Sequence, residues 1–172
     1  MNVQEGYYKL GLPDGDSGTF TAKFTWSSQT STIKISGYTH TRGNYDTVVN
    51  SYANMSNLLC SSFLRNAPGT MKVELTDLKP STWYEIKTFH HSTSFARGGI
   101  EFKLHYEGNQ ERTLKQCAHG RNPDPPLEHT EVVLSSVSGR ISLSMEKGSS
   151  TSNAHMDLNG MEIQCLGKGY FQ

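Results

Sequence analysis

The chain carries no excess charge of either sign. Its 172 residues include 16 Lys+Arg and 16 Asp+Glu, so the formal net charge is zero when the histidines are neutral. Only 19% of the residues are charged, against about 25% in a typical globular chain. This balance excludes a coiled coil, an acidic or basic tail protein, and nucleic-acid binding through gross charge.

Long apolar runs and cysteine motifs are also scarce. No apolar run reaches the length of about 18 residues that marks a membrane span, and residues 1–5 lack the basic start and apolar stretch of a signal peptide. The three cysteines, Cys60, Cys117 and Cys165, allow one disulfide in any of three pairings. None has the spacing of a zinc ligand set. The only glycosylation sequon begins at Asn54.

Catalytic motifs are missing as well. The sequence has no GxSxG, no HExxH and no phosphate-binding loop. A glycosidase needs two carboxylates across a cleft, and the acidic residues of the predicted strands lie on phases that face solvent. We therefore expect a protein that binds rather than one that catalyses.

What the sequence has in abundance is alternation of apolar and polar residues with period two. This pattern is typical of antiparallel strands with one buried and one wetter face, and Gly, Pro, Asn and Asp punctuate it with turns. The predicted strands cover residues 19–26, 31–38, 71–78, 82–90, 99–106, 112–117, 130–137, 139–146 and 155–164.

One segment, residues 45–65, follows a helical period instead. Its apolar positions Val48, Tyr52, Met55, Leu59 and Phe63 are spaced four, three, four and four apart, which gives a helix one buried stripe. The sequence thus predicts an all-β fold over residues 1–172 as one domain. The favoured architecture is an antiparallel β-sandwich, a jelly roll of about eight or nine strands with one short helical insertion at about residues 45–65.

Three landmarks in order resemble the galactose-binding-like jelly rolls of extracellular proteins, which include malectin and many carbohydrate-binding modules. They are residues 57–63 (NLLCSSF), 75–92 (LTDLKPSTWYEIKTFHHS) and 156–163 (MDLNGMEI). Where such domains carry Arg-Asp before the phenylalanine, this chain has Cys60-Ser61-Ser62 before Phe63, so any role of that charged pair is lost. The resemblance implies a jelly roll but no shared ligand, because function lies in loops grafted on the fold.

The resemblance also implies a structural calcium ion near the chain ends. Many such domains hold it with a glutamate of the last strand and oxygens of an early loop. The matching oxygen donors here are Asp14, Asp16, Asp157 and Glu162, and calcium takes six to eight oxygens. Residues 13–16 fit an ordinary turn equally well, so a calcium ligand loop and a plain turn remain the two alternatives for this segment. No other cofactor is predicted.

Aromatic and histidine residues are the candidates for a ligand site. Aromatic rings stack on the apolar C–H faces of sugars, and Trp83, Phe89 and Tyr38 fall on exposed phases. Adjacent strand residues point to opposite faces, so one histidine of the His90-His91 pair is expected in the core and one outside. Asn and His side chains would hydrogen-bond the sugar hydroxyls, and Asn159 lies in the third landmark.

These features lead to three functional hypotheses. The first is a non-catalytic, secreted or extracellular domain that binds a neutral glycan. The second is a structural or interaction protein of an extracellular matrix, adhesive or mineralised assembly, whose partner is another extracellular protein or a second copy of the chain; a neutral surface favours such self-association. The third is a secreted glycoside or ester hydrolase.

Overall fold

Every described part of the chain is strand or turn in the structure, which is a computed structural model. The residues described are 17–26, 29–42, 62–65, 69–92, 102–108, 111–113, 120–121, 127–147 and 156–171. Among them, no helix is long and apolar enough to cross a membrane. The strands are β1 (Gly18–Trp26), β2 (Gln29–Tyr38), β3 (His40–Arg42), β4 (Ser62–Arg65), β5 (Gly69–Thr76), β6 (Trp83–Ser92), β7 (Phe102–Glu107), β8 (Glu111–Thr113), β9 (Gly120–Arg121), β10 (Leu127–Leu134), β11 (Ile141–Lys147), β12 (Met156–Leu158) and β13 (Gly160–Gly167).

Six strands form the larger sheet, in the order β1-β2-β5-β11-β7-β8. All its neighbours are antiparallel, and their register aligns apolar residues into rows. One row crosses four strands through Ile35, Val73, Leu143 and Tyr106, and all four side chains are buried. Each buried side chain of this size contributes about 1.5–3 kcal/mol of hydrophobic free energy, so this face of the large sheet forms one wall of the core.

The opposite wall is a smaller sheet with the order β10-β6-β13. Its central strand β6 is antiparallel to both neighbours, and β9 pairs in parallel with the end of β6. Tyr84 lies opposite Val133 and Cys165, and Ile86 lies opposite Ile163. These side chains join those of the large sheet in one hydrophobic cluster, so the predicted all-β antiparallel sandwich of the jelly-roll type is confirmed.

A three-stranded ribbon, β12-β4-β3, closes the core between the two sheets. Phe63 of β4 lies opposite Leu158 and Thr41, and its ring centroid is 4.9 Å from that of Tyr38 and 5.4 Å from that of Phe20. The predicted helix is therefore wrong for residues 62–65, because cross-strand partners distant in sequence outweigh the local helical period. The rest of that prediction, residues 45–61, lies outside the described residues.

The predicted strand 155–164 is interrupted at Asn159. The residues before it pair with β4 in the ribbon, and those after it pair with β6 in the small sheet. The backbone N–H of Asn159 donates to the carbonyl of Phe89 at 2.9 Å. One alternating run of sequence thus serves two sheets.

Two turns meet at one end of the sandwich and form what we call the corner, residues 77–84 and 135–140. The N–H of Leu78 donates to the carbonyl of Gly139 at 3.0 Å, and that of Ser135 donates to Thr82 at 2.9 Å. The backbone N–H of Lys79 donates to the Tyr84 hydroxyl at 2.9 Å. These bonds satisfy backbone groups that the turns would otherwise leave without strand partners, so the corner fixes the start of β6.

Tyr84→Phe tests the corner directly. The variant keeps the buried ring but leaves the Lys79 N–H without its acceptor, so we expect the free energy of unfolding to fall by about 1–2 kcal/mol. Burial raises the pKa of the Tyr84 hydroxyl, so the wild-type group is neutral and the loss is expected to be the same at pH 6 and pH 8. Urea denaturation at both pH values measures it, and an unchanged unfolding midpoint would contradict the role assigned to this bond.

Candidate functional site

The outer face of the small sheet carries the first group of candidate residues. Side chains of β6 alternate between the core and this face, and the core-facing ones, such as Tyr84 and Ile86, are fully buried. The outward set begins at the corner and runs the length of the strand. It consists of Trp83, Glu85, Lys87, Phe89 and His91.

Trp83 belongs to an exposed group of three aromatic residues, which we call the aromatic cluster: Trp83, Tyr170 and Phe171. The ring centroids of Trp83 and Phe171 are 4.6 Å apart with the planes at 81°, and those of Tyr170 and Phe171 are 4.8 Å apart at 76°. Such edge-to-face contacts hold rings in a defined orientation. Trp83 is half-buried, whereas Tyr170 is 47% and Phe171 62% exposed. The cluster is therefore an apolar surface open to solvent.

Polar side chains continue this face beyond the cluster. Glu85 lies opposite Gln164 on β13, and in the next row Lys87 lies opposite Glu162. Partial burial raises the pKa of the Glu162 carboxyl, although the Lys87 ammonium lies only 3.4 Å away. Solvent screens this ion pair because both side chains are about a third exposed, at 30% and 36%. The face thus offers hydrogen-bond donors and acceptors beside the aromatic cluster.

Two of the predicted ligand-stacking residues are buried, so their predicted exposure is wrong. Tyr38 packs edge-on against Phe63 at the ribbon, because a register shift between Gly18 and Thr19 interrupts the regular pairing of β1 with β2 beside it. Phe89 is only 2% exposed, although it shares the outer face with Trp83. It lies six residues further along β6, which is about 20 Å in an extended strand, so the two rings do not form one platform.

Both histidines of the His90-His91 pair are buried, and the prediction that one is exposed is wrong. His90 Nδ1 lies 2.7 Å from the carbonyl oxygen of Asp157, and Nε2 lies 2.8 Å from the hydroxyl of Thr88. Since a carbonyl only accepts, Nδ1 carries a proton and donates it. The His90 ring also lies 5.7 Å from that of His129. His90 therefore ties the ribbon to the small sheet from inside the core.

Asn159 is half-exposed and links the ribbon strand β12 to β13 of the small sheet, at the far end of β6. Its side-chain oxygen accepts the backbone N–H of His91 at 2.7 Å, while its own N–H donates to Phe89. Its position is fixed by these two backbone bonds. In the described structure Asn159 lies with the buried His91 and Phe89, at the end of β6 opposite the aromatic cluster.

The calcium prediction involves residues in different places. Asp157 is buried in the ribbon and Glu162 faces Lys87 on the small sheet, while Asp14 and Asp16 lie outside the described residues. Within the described ranges, no three His, Cys, Asp or Glu side chains gather as a metal ligand set. The calcium site stays a prediction.

Of the residues in the cysteine and glycosylation predictions, only Cys165 lies among the described residues. Cys165 is a free thiol there, half-buried on the core side of β13 beside Tyr84. Cys60, Cys117 and the sequon at Asn54 lie outside the described residues. With Cys165 free, the pairing that remains is that of Cys60 with Cys117, and it stays a prediction.

Tyr170 and Phe171 are the site residues that the sequence did not reveal. They follow the last alternating strand, in a turn after Lys168 and Gly169, where no periodicity assigns a face. The one available indication was two adjacent aromatics beyond a strand end. Only the pairing of Gly167 with Trp83 brings this turn onto the outward face of β6.

These features define the class of protein: an all-β jelly-roll sandwich with an outer sheet face that ends in an exposed aromatic cluster. The ANX1 ectodomain from Arabidopsis thaliana is similar in structure, with a TM-score of 0.51 and 12% identity over 82% of this chain and 39% of that one. This chain thus spans about two fifths of that ectodomain. The likeness confirms the predicted resemblance at the level of the fold.

Two carbohydrate-binding modules are also similar in structure. TmCBM61, solved in complex with β-1,4-galactotriose, has a TM-score of 0.43 and 11% identity over 87% of this chain and 89% of that one. A family 35 carbohydrate-binding module from Clostridium thermocellum has a TM-score of 0.45 and 7% identity over 84% and 97%. No family model and no curated protein matches the sequence.

Proposed function

We propose that the chain is a non-catalytic carbohydrate-binding domain that acts outside the cell and holds a neutral glycan against the aromatic cluster. The observation that carries this proposal is the exposed contact of Phe171 with Trp83 and Tyr170. Isolated exposed apolar residues need no explanation, but a contiguous apolar surface edged by polar groups marks a binding site. Pyranose rings present apolar C–H faces that stack on such rings.

Hydrogen-bonding groups next to the cluster support the same ligand class. Gln164 offers both a donor and an acceptor, and Glu85 offers acceptors, in the row of β6 and β13 next to Trp83. Sugar hydroxyls pair with such groups while the ring stacks. The chain as a whole has no net charge, which suits a neutral ligand.

The carboxylates of this face do not favour hydrolysis. Glycosidases pair one protonated acid with one free carboxylate across the scissile bond. Glu85 and Glu162 are diagonal neighbours on one sheet face, and Glu162 is engaged by Lys87. We therefore assign binding without turnover, and release of reducing sugar from a bound glycan would contradict this part of the proposal.

The test is a glycan array followed by calorimetry with the best neutral ligand. Phe171→Ala and Trp83→Ala are each expected to weaken binding about tenfold, since an aromatic stack contributes about 1–1.5 kcal/mol. Val137→Ala is the matched control, because it truncates another exposed apolar side chain, 77% exposed, outside the cluster. It is expected to leave the affinity within a factor of about two. Phe171 is exposed, so its variant keeps the wild-type unfolding temperature.

Two results would overturn the proposal. One is an absence of binding to any glycan at high protein concentration. The other is an equal loss of affinity in the Val137 control. Sedimentation velocity then separates the remaining hypotheses, because concentration-dependent assembly without glycan binding favours a structural or interaction protein.

A further inference from the structure

The outer face of the large sheet carries a cluster of cations around one carboxylate. Lys34 Nζ lies 3.8 Å from Oε2 of Glu74, and Lys72 Nζ lies 3.5 Å from Oε1. The Arg140 guanidinium contacts the same Oε1. The Glu74 side chain is only 17% exposed, whereas the three cations are each more than 40% exposed. We call these three cations with Glu74 the cationic cluster.

Backbone structure holds the cluster in place. Lys34 lies directly opposite Glu74 in the β2–β5 register, and Lys72 is on the same face of β5, two residues away. Arg140 immediately precedes β11, at the corner. Its backbone N–H donates to the Ser136 hydroxyl, and its carbonyl accepts the Ser136 N–H, both at 3.0 Å. The cations therefore project from paired strands and from a braced turn.

The cluster has more positive charge and more donors than Glu74 neutralises. Three cations face one carboxylate, and each brings several N–H donors where a carboxylate offers two oxygens. Like charges this close repel even in water, and Glu74 lowers that cost without cancelling the excess. In a chain of zero net charge, this is a local concentration of positive charge.

Three further acids lie on or next to this face of the large sheet. Asp77 Oδ2 accepts the hydroxyls of Thr32 at 2.9 Å and Thr76 at 3.3 Å. Glu146 lies opposite Lys103 on β7, and Glu107 lies two strands from Glu74 in the same row. Neutral hydroxyls do not cancel the charge of Asp77, so Asp77 reduces the positive excess at Lys34, Lys72 and Arg140 but does not remove it.

We propose that the cationic cluster binds the carboxylate or sulfate groups of a linear anionic polysaccharide. Hydroxyl side chains lie beside it on the same sheet face, namely Thr21, Ser36 and Ser144. Along a strand outward side chains repeat about every 7 Å, and across strands about every 4.8 Å, so these hydroxyls offer hydrogen bonds to an extended chain of sugars. Charge complementarity supplies the attraction, and the hydroxyls suit a carbohydrate backbone.

The composition of this face argues against other polyanions. Among the described outward side chains of the large sheet there is no Phe, Tyr or Trp on which nucleic-acid bases would stack. There is likewise no large apolar side chain to insert into a membrane surface. An anionic polysaccharide needs neither.

This site is separate from the proposed neutral-glycan site. The two lie on opposite outer faces of the sandwich, with the core between them. Together they would let one domain bridge a neutral and an anionic polysaccharide. Either site can fail without the other, so the tests are independent.

The experiment measures the affinity of the intact chain for two probes at about 50 mM and 200 mM salt. Heparin presents sulfate groups and polygalacturonate presents carboxylates, so their relative affinities identify the source of the anion. Lys34→Gln/Lys72→Gln is expected to weaken binding about 25-fold, since each cation near an anionic surface contributes roughly fivefold. Higher salt is expected to weaken wild-type binding by screening.

Lys103→Gln is the matched control, because it removes the same charge from the same face outside the cluster. We expect the affinity of Lys103→Gln for both probes to stay within about twofold of wild type. Trp83→Ala is expected to leave the affinity for both probes unchanged. Lys72→Gln alone is expected to weaken binding about fivefold, and an equal loss in Lys103→Gln would overturn the assignment of the site. Absence of binding to both probes at low salt, or equal affinity for duplex DNA or anionic lipid vesicles, would overturn the ligand class.

Discussion

Replacing His90 with alanine is expected to lower the free energy of unfolding by about 3–5 kcal/mol. The ring is fully buried, and it bonds the Asp157 carbonyl on one side and the Thr88 hydroxyl on the other. Its removal leaves a cavity together with two buried polar groups that lose their partners, and both effects are costly. Urea denaturation followed by fluorescence measures the change.

His90→Phe separates the two contributions. Phenylalanine fills the space of the imidazole ring but offers no hydrogen bond, so about 2–3 kcal/mol of the loss is expected to remain. The pair of variants also decides the role of this residue. If His90→Ala unfolds at the wild-type urea concentration and instead loses glycan affinity, His90 is a ligand contact and the structural assignment is wrong.

Gly139→Ala is the second change with a large expected effect, about 3 kcal/mol or more. A Cβ at this position would lie 2.1 Å from the carbonyl oxygen of Leu78, and the backbone φ of +71° is one that side chains rarely adopt. The carbonyl has little freedom to move, because the Leu78 N–H donates to the Gly139 carbonyl at 3.0 Å. The substitution therefore forces the two turns of the corner apart.

Gly167→Ala is the matched control for this variant. Its φ of +90° is also in the left-handed region, but an added Cβ meets nothing within 4 Å. Backbone strain alone costs about 1–2 kcal/mol, so the difference between the two variants measures the clash at the corner. Equal unfolding midpoints of Gly139→Ala and Gly167→Ala in a thermal melt would show that the corner accommodates the added Cβ without a further loss of stability.

Much of the fold could be predicted from the alternation in the sequence, because apolar residues at every second position indicate which side of a strand faces the core and which faces solvent. Strand β5 illustrates this, because the alternation of residues 71–78 places Val73 and Leu75 on one face and both are buried. Alternation does not report which strand lies next to which, so the sheet order and the break at Asn159 were not predictable. It also says nothing of what covers a face, and Phe89 was assigned to solvent for that reason.

The candidate sites were less accessible to sequence reasoning. Trp83 was identified from its outward phase, but Tyr170 and Phe171 lie in a turn that no pattern assigns to a face. Lys34 and Glu74 are forty residues apart along the chain, and only the β2–β5 register brings them together. Sites of this kind are products of strand pairing rather than of local motifs.

The strand order also has a consequence for how the protein is made. β6 is complete at residue 92, yet its partner β13 ends at residue 167. At roughly 5–20 residues per second of synthesis, the strand waits about 4–15 s for that partner. Folding dominated by such distant pairings is slow, on the scale of milliseconds to seconds. The small sheet is therefore completed only when the C-terminal strands emerge, and during the wait β6 exposes the edge that β13 later covers to chaperones and to neighbouring nascent chains.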